Sequence, residues 1–331
     1  MQRFLLLTIL GCMSLCCYAQ YAPQAGLAGS TAISASAGAF VGWATGCNVY
    51  RGLEDIANQS LGYVTAGDSS MALGPMDHSI VSLGDSGIAV LTFDAPICNG
   101  PGADFAVFEN GFANPNNAEE AFLELAFVEV SSDGLNFFRF PANSLTPINT
   151  QIPDAGVYMN ARYLNNLAGK YIAGYGTPFD LQELAGISGL DINHVTHVRI
   201  VDVIGSIGEY ATLDSAGRPI NDPYPTAFAT GGFDLDAVGV IHQLPTGITE
   251  ISDKFAVHIY PNPTSDYIRF SVKGLHKDIA VTLTDIAGKV LQQVNLKDTD
   301  IMSFSQYVSG IYYLVLHDTN GNQWVEKITK L

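Results

Sequence analysis

Between Asp104 and Asp236 the chain sets eight side chains whose oxygens suit a hard cation. Asp234 and Asp236 occupy alternate positions of the run "DLDAVGVI", directly after Gly231 and Gly232. Side chains in a strand alternate with a period of two, so both carboxylates are expected to face one way. Two carboxylates aimed together repel unless a cation or a proton neutralises them. Glu109 and Asn110 close the run "DFAVFEN" and Asp104 opens it, while Asp202, Asp214 and Asp222 lie in or near the segment that leads to the final strand. Calcium takes roughly six to eight oxygens from carboxylates, amides and backbone carbonyls, which are the types on offer here. The competing reading is that these acids cap turns and accept backbone donors along a solvated rim.

A second chemistry is carried by Tyr158, Tyr163, Tyr171 and Tyr175, set among Asn and Gly in residues 156–180. Tyrosine offers an apolar face and a hydroxyl, a combination that stacks on sugar rings beside amide hydrogen bonds. This stretch is therefore a candidate glycan platform. The same residues also suit closing the end of a β-sandwich.

Covalent catalysis finds little support. "GDSG" at residues 84–87 resembles the nucleophile turn of chymotrypsin-like proteases, but it runs into the strand that begins at Ile88 and has no matching histidine segment upstream. His194 and His197 would face opposite sides of a strand, which disfavours joint chelation. Glycoside hydrolysis needs two carboxylates a set distance apart, and Glu109, Glu124, Glu129 and Asp202 are the candidates for such a pair.

The elements that must position these groups read as strands. Runs at 88–93, 104–110, 126–130, 197–205 and 234–241 are apolar, β-branched or aromatic, and are bounded by Gly, Asn, Asp and Pro. Only Asn117–Leu125 and Asp180–Ala185 favour a helix. The expectation is an all-β protein whose larger part, residues 21–245, is a jelly-roll-like antiparallel sandwich. In "VEVSSDGLNF", Val128 and Val130 share a face, Asp133 and Gly134 supply a turn, and Phe137 is expected to return to the core.

Charge is distributed unevenly. Residues 20–249 hold six Lys and Arg against 23 Asp and Glu, whereas residues 250–331 hold eight against nine. A body this acidic disfavours nucleic acid and anionic membrane as partners. Arg3 precedes an apolar run ending at Leu10, with small residues at Cys17 and Ala19, so residues 1–20 read as a secretory signal. "ILGC" ending at Cys12 also resembles a lipoprotein box, although Leu10 is large for its place there. No other apolar run is long enough to span a membrane. Cys12, Cys16 and Cys17 leave with the signal; the remaining pair, Cys47 and Cys98, is expected to form a disulfide in an oxidising compartment.

The C-terminal region is the most specific. "YPNPTSDYIRFSV" (260–272), "LTDIAGKVL" (283–291), "SGIYYLVL" (309–316) and the final "KITKL" follow one another. Pro261 and Pro263 suit a strand entrance, 267–272 alternates as a half-buried strand, Ala287–Gly288 makes a turn, and Asn320–Gly321 signals a hairpin. In this order the motifs resemble the type A C-terminal sorting domain of the type IX secretion system of Gram-negative bacteria. That resemblance implies a small immunoglobulin-like sandwich at 254–331, joined by a linker at 246–253, and the secretion machinery as its partner. It also implies removal of that domain, followed by release or surface anchoring.

Ahead of it, "ALGPMDHSIVSLGDSGIAVLTF" (72–93), "VEVSSDGLNF", "GPGADFAVFENGF", "DPYP" and "GGFDLDAVGV" together resemble a discoidin or galactose-binding-like family of bacterial surface proteins. The resemblance implies a surface location and a structural calcium, and it assigns no activity. The expected function is a non-catalytic, calcium-stabilised module for a glycan or another extracellular ligand. A secreted polysaccharide hydrolase and a structural adhesion or surface-layer component are the alternatives.

Overall fold

The computed structural model describes residues 21–153, 156–244, 256–273, 279–296, 300–317 and 323–331. The signal segment, the linker at 246–253 and the Asn320–Gly321 hairpin signal lie outside these residues. The chain divides into two compact units, residues 1–244 and 245–331.

The first unit is built of strands β1 (Ile33–Ser34), β2 (Gly42–Trp43), β3 (Gly46–Tyr50), β4 (Val81–Ser82), β5 (Ile88–Ile97), β6 (Phe105–Glu109), β7 (Phe112–Asn114) and β8 (Asn117–Phe122). They are followed by β9 (Ala126–Ser131), β10 (Phe138–Arg139), β11 (Asn143–Ser144), β12 (Met159–Asn160), β13 (Leu164–Asn165), β14 (Tyr175–Phe179), β15 (Val195–Asp202) and β16 (Asp234–Val240). One antiparallel sheet has the order β1-β14-β6-β16-β2 with β4 beside β16, and the other β10-β9-β15-β5-β3. The long strands alternate between the two sheets along the chain, which is the jelly-roll-like winding the sequence predicts.

Alternation within each strand makes the core. Leu91, Val128, Val130, Val198 and Ile200 from one sheet meet Phe105, Val107, Leu235 and Val238 from the other in a single buried cluster. Burying such a side chain contributes roughly 1.5–3 kcal/mol, so this interior is what holds the sheets face to face. The outer face of β9 and β15 carries a second cluster, in which Phe127 and Val201 are covered by Leu164, Leu167, Ile152 and Ile220.

Several expectations are corrected. Asn117–Phe122 is strand β8, not helix, because pairing with β7 and β12 overrides the propensity of its Ala and Glu. Asp180–Ala185 yields only a 3-10 turn at Leu181–Leu184, capped by Asp180 accepting from Gln182 N at 2.9 Å. Asp133 and Gly134 do form the turn, but Phe140 rather than Phe137 enters the core. Phe137 instead packs beneath Arg199, whose guanidinium lies 3.9 Å from the ring centroid.

Cys47 and Cys98 are free thiols, which overturns the expected disulfide. Cys47 lies opposite Leu91 on β5, and Cys98 lies seven residues further along, past the end of that strand. Because β5 bulges between Thr92 and Ile97, which pair with His197 and Val195, the two stand about four strand steps apart, on the order of 13 Å, beyond the roughly 7 Å between Cα atoms that a disulfide spans.

The second unit is a small antiparallel sandwich. Strands β17 (Ala256–Tyr260), β18 (Tyr267–Lys273) and β21 (Ile301–Ser303) form one sheet; β19 (Ala280–Thr284), β20 (Val290–Asn295), β22 (Gly310–His317) and β23 (Gln323–Lys330) form the other. Ile268, Phe270 and Met302 face Val281, Leu283, Leu314 and Ile328 across its core. The "YPNPTSDY" motif is tied to the last strand: Asn262 Nδ2 donates to Lys327 O at 2.7 Å, and Thr329 N donates to Asn262 Oδ1 at 2.9 Å. Among the described residues no helix is long and apolar enough to cross a membrane.

Candidate functional site

The first unit has two features beyond packing: an interior group of carboxyls and an opening on the second core.

The carboxyls come from four stretches of chain. Glu109 ends β6, Glu124 lies in the link between β8 and β9, Asp202 ends β15, and Asp222 belongs to the long loop before β16. Their exposures are 1%, 7%, 3% and 3%. Protein donors hold part of the group. Phe233 N donates to Asp202 Oδ1 at 2.8 Å and Ser86 N to Oδ2 at 3.0 Å. Leu125 N donates to Asp222 Oδ2 at 2.8 Å, and Gly111 N to Glu109 Oε2 at 2.8 Å. The other oxygens of two residues, Glu109 Oε1 and Asp222 Oδ1, are buried without a partner.

Asp234 adjoins the group, held by Ser82 Oγ and by Asn110 Nδ2 at 2.7 Å. Burial pushes Asp202 up to about 8 and Asp234 up to about 6. Burial first, then neighbouring carboxylates, raises Glu109 and Glu124 well above the usual range; Asp222 follows, with Asp202 as its charged neighbour. Gly232, with φ +72°, lets the chain pass close by: a Cβ there would lie 2.8 Å from Asp202 Oδ1 and from the Gly84 backbone.

Of the eight residues predicted to converge, the fold gathers Glu109, Asn110, Asp202, Asp222 and Asp234. The other three are engaged elsewhere. Asp104 accepts from Gly100 N, Leu181 N and His242 Nδ1, each at 2.7 Å. Asp214 binds Arg218 Nη2 at 2.7 Å and Ser144 N at 3.1 Å. Asp236 accepts from Asp77 N and His78 N at 3.2 and 3.0 Å. The period-two argument for Asp234 and Asp236 fails because the β16–β6 register shifts between Leu235 and Ala237, a bulge centred on Asp236. Glu124, considered only for hydrolysis, joins the group without any sequence signal linking it to Asp222. Among the described residues no three His, Cys, Asp or Glu side chains stand ready as a metal cage. Glu129 is excluded from any acid pair, since it is bound by both Arg139 and Arg199.

The opening lies where residues 144–153 and 156–163 cross the second core. A cleft of about 390 Å³ is lined by Tyr158, Tyr163, Asn149, Asn160 and Glu120, and an adjoining one of about 430 Å³ by Ser144, Ile148 and Arg218. Thr146, Pro147 and Tyr163 border both. The wall is set by buried Asn221, whose Nδ2 donates to Pro147 O at 2.6 Å and Thr150 O at 2.8 Å while Oδ1 accepts from Ile152 N at 3.0 Å. Thr146 is 8% exposed, and its Oγ1 has no hydrogen-bond partner.

Two of the four predicted tyrosines therefore share a cleft. Tyr171 does not: it is 1% exposed, with its hydroxyl 2.8 Å from Thr31 Oγ1, and serves as a core pillar. Tyr175 sits on β14 opposite Ser34, away from the opening. Sequence reasoning missed Thr146 and Asn221, whose significance depends on contacts some seventy residues distant in the chain. It also missed the stacked pair Phe112 and Phe122, against whose edge Tyr158 packs.

Comparison with known proteins bears mainly on the second unit. Residues 258–330 match the family described as secretion system C-terminal sorting domain. No curated protein matches. Among solved structures, β-glucuronidase from Ruminococcus gnavus is similar at 12% identity over 74% of this chain and 36% of that one, with a TM-score of 0.19. PorZ, an essential bacterial surface component of the type-IX secretion system of Porphyromonas gingivalis, is similar at 15% identity over 82% of this chain and 47% of that one, with a TM-score of 0.21. The BSP domain of a biofilm associated protein gives 11%, 74%, 48% and 0.19 in the same order. The chain thus spans between 36% and 48% of the length of these proteins. The C-terminal unit is a type IX secretion sorting domain, and the chain that carries it is secreted to the cell surface or the extracellular space.

Proposed function

We propose that the N-terminal unit is a non-catalytic binding module for an extracellular glycan, seated in the paired clefts that meet at Thr146 and Tyr163. The observation that carries this reading is the Thr146 hydroxyl, which is buried in the shared wall and lacks a partner. A buried hydroxyl left unpaired costs about 1–3 kcal/mol, and a sugar hydroxyl would supply the missing bond. Tyr158 and Tyr163 add apolar faces at the same place, with the Asn149 and Asn160 amides beside them. A two-carboxylate hydrolytic mechanism finds one acid, Glu120, among the described lining residues. That favours retention of a glycan over its cleavage.

The test is a glycan array followed by titration of the retained sugar, with reducing-end release measured in parallel. Thr146→Val keeps shape and removes only the hydroxyl. It should weaken binding roughly tenfold, about 1.4 kcal/mol, while leaving the melting temperature unchanged or raised. Tyr163→Ala should weaken binding at least as much. Release of sugar, or binding indifferent to both substitutions, would remove this reading.

A further inference from the structure

We propose that the glycan held at the paired clefts carries a free amino group, whose ammonium is received by the Glu120 carboxylate beside Tyr158. This rests on the cleft reading above and adds the class of sugar that the wall selects.

The wall is built on the short sheet of β7, β8 and β12. Across β8 and β12, Ala121 pairs with Met159 and Glu120 with Asn160. Ala121 and Met159 are buried in the second core. Side chains alternate along a strand, so Glu120, Phe122 and Tyr158 turn away from that core. Glu120 and Tyr158 line the cleft. Phe122 stacks on Phe112 with ring centroids 4.9 Å apart, and Tyr158 stands perpendicular to Phe112 at 6.3 Å, so the aromatic surface continues outward from the cleft. Phe112 keeps 50% of its surface exposed. A carboxylate next to aromatic rings is a combination that receives an ammonium. The acid supplies charge and acceptor oxygens, and the negative faces of the rings attract a cation.

Charge balance points to the same class. Among the described residues Glu120 accepts from Asn114 Nδ2 at 3.0 Å, and none of the six Lys and Arg of residues 20–249 pairs with it. Arg139 and Arg199 hold Glu129, Arg162 holds Glu119 and Arg218 holds Asp214. Lys170 Nζ donates to Leu164 O at 2.9 Å, and Arg51 donates to the carbonyls of Ala66, Gly67 and Ser82. Arg218 is the one cation among the described lining residues of either cleft. Its Nε and Nη2 both donate to Asp214 Oδ2, at 3.1 and 2.7 Å, so its charge is already matched. A uronate or a sulfated sugar would meet that matched guanidinium, an open carboxylate and a strongly acidic unit, all of which disfavour an anion. A neutral sugar would fill the cleft and leave Glu120 to water. An amino sugar makes use of the carboxylate.

The experiment is calorimetric titration of the full chain with tetramers of glucosamine, N-acetylglucosamine and galacturonate. The glucosamine tetramer should bind roughly tenfold more tightly than its N-acetylated counterpart, as one hydrogen bond to a charged group would give, and galacturonate should bind most weakly. Raising the ionic strength should narrow the gap between the two hexosamines. Glu120→Gln keeps an acceptor for Asn114 and removes the charge. In that variant the two hexosamine tetramers should bind alike, the N-acetylated one within about twofold of its wild-type affinity. Asp94→Asn, at an exposed acid on β5, makes the same change in net charge and should keep the full gap. Thr146→Val should weaken both hexosamines equally. Equal wild-type affinity for the two, or a gap that survives Glu120→Gln, would overturn the amino-sugar assignment and leave the cleft reading standing. Failure of all three tetramers to bind would also overturn the assignment, and the glycan array decides separately whether the cleft holds any sugar.

Discussion

The C-terminal unit buries Ile268, Phe270, Val281, Leu283, Leu314 and Ile328, and among the described residues its single buried polar side chain is Thr264. The N-terminal unit buries Glu109, Glu124, Asp202, Asp222 and Asp234 alongside an aliphatic core quite sufficient to hold its sheets. Both are antiparallel sandwiches, so fold class does not account for the difference. A delivery signal needs a stable shape with its recognition features outside, and apolar burial alone provides that. Buried carboxyls lower stability unless something neutralises them, and such groups concentrate where a protein binds something. The comparison locates delivery in one unit and leaves the other as the place of the ligand chemistry proposed above.

The largest effect that could break this division is on location. Deleting residues 258–330 should reduce the surface and extracellular fraction to background while the N-terminal unit, with its own core, still melts cooperatively. Loss of that cooperative transition would show that the units are not independent.

Two glycines sharpen the contrast. Gly232 and Gly288 both have positive φ, but a Cβ at Gly232 would strike Asp202 and Gly84, whereas at Gly288 it would meet nothing within 4 Å. Gly232→Ala should cost about 3 kcal/mol in denaturant unfolding, and Gly288→Ala only about 1 kcal/mol of backbone strain.

The response to pH should separate the units as well. Asp202 and Asp234 titrate near 8 and near 6 in the folded unit, both raised by burial above their unfolded value near 4. An acid whose folded value is raised contributes stability that is complete below about pH 4 and is lost as pH rises through 6 and then 8. The N-terminal transition should therefore gain about 3 kcal/mol between pH 8 and pH 6, at about 1.4 kcal/mol per pH unit for each linked proton. The C-terminal transition should move less.

The smallest effect concerns the cysteines. Both should label with a thiol reagent in the unfolded, unreduced protein, and Cys98→Ser should change stability by less than about 0.5 kcal/mol. A single protected pair would contradict the separation imposed by β5.

The C-terminal unit was legible because its signals are local. Ile268 and Phe270 alternate with Tyr267 and Arg269, and Asp285 to Gly288 makes a turn, each read within a dozen residues, whereas Pro261 and Pro263 lie in the link between β17 and β18 rather than at a strand entrance. The N-terminal strands were legible for the same reason. Its sites were less so. The bulge at Asp236 depends on pairing with β6 and cannot be seen in "DLDAVGVI". Tyr171 has the composition of a surface platform but points into the core beside Thr31. Glu124 meets Asp222 across nearly a hundred residues through Leu125 N, and Thr146 borders both clefts on a loop that Asn221 holds. Side-chain alternation is encoded nearby, while convergence of polar groups is encoded by topology.

The most direct test of the division is glycan binding by residues 21–244 alone, compared with the full chain and with Thr146→Val in both. Equal retention with and without the C-terminal unit, weakened alike by Thr146→Val, is the predicted result. Retention that disappears with the C-terminal unit, or that persists unchanged in Thr146→Val, would contradict it.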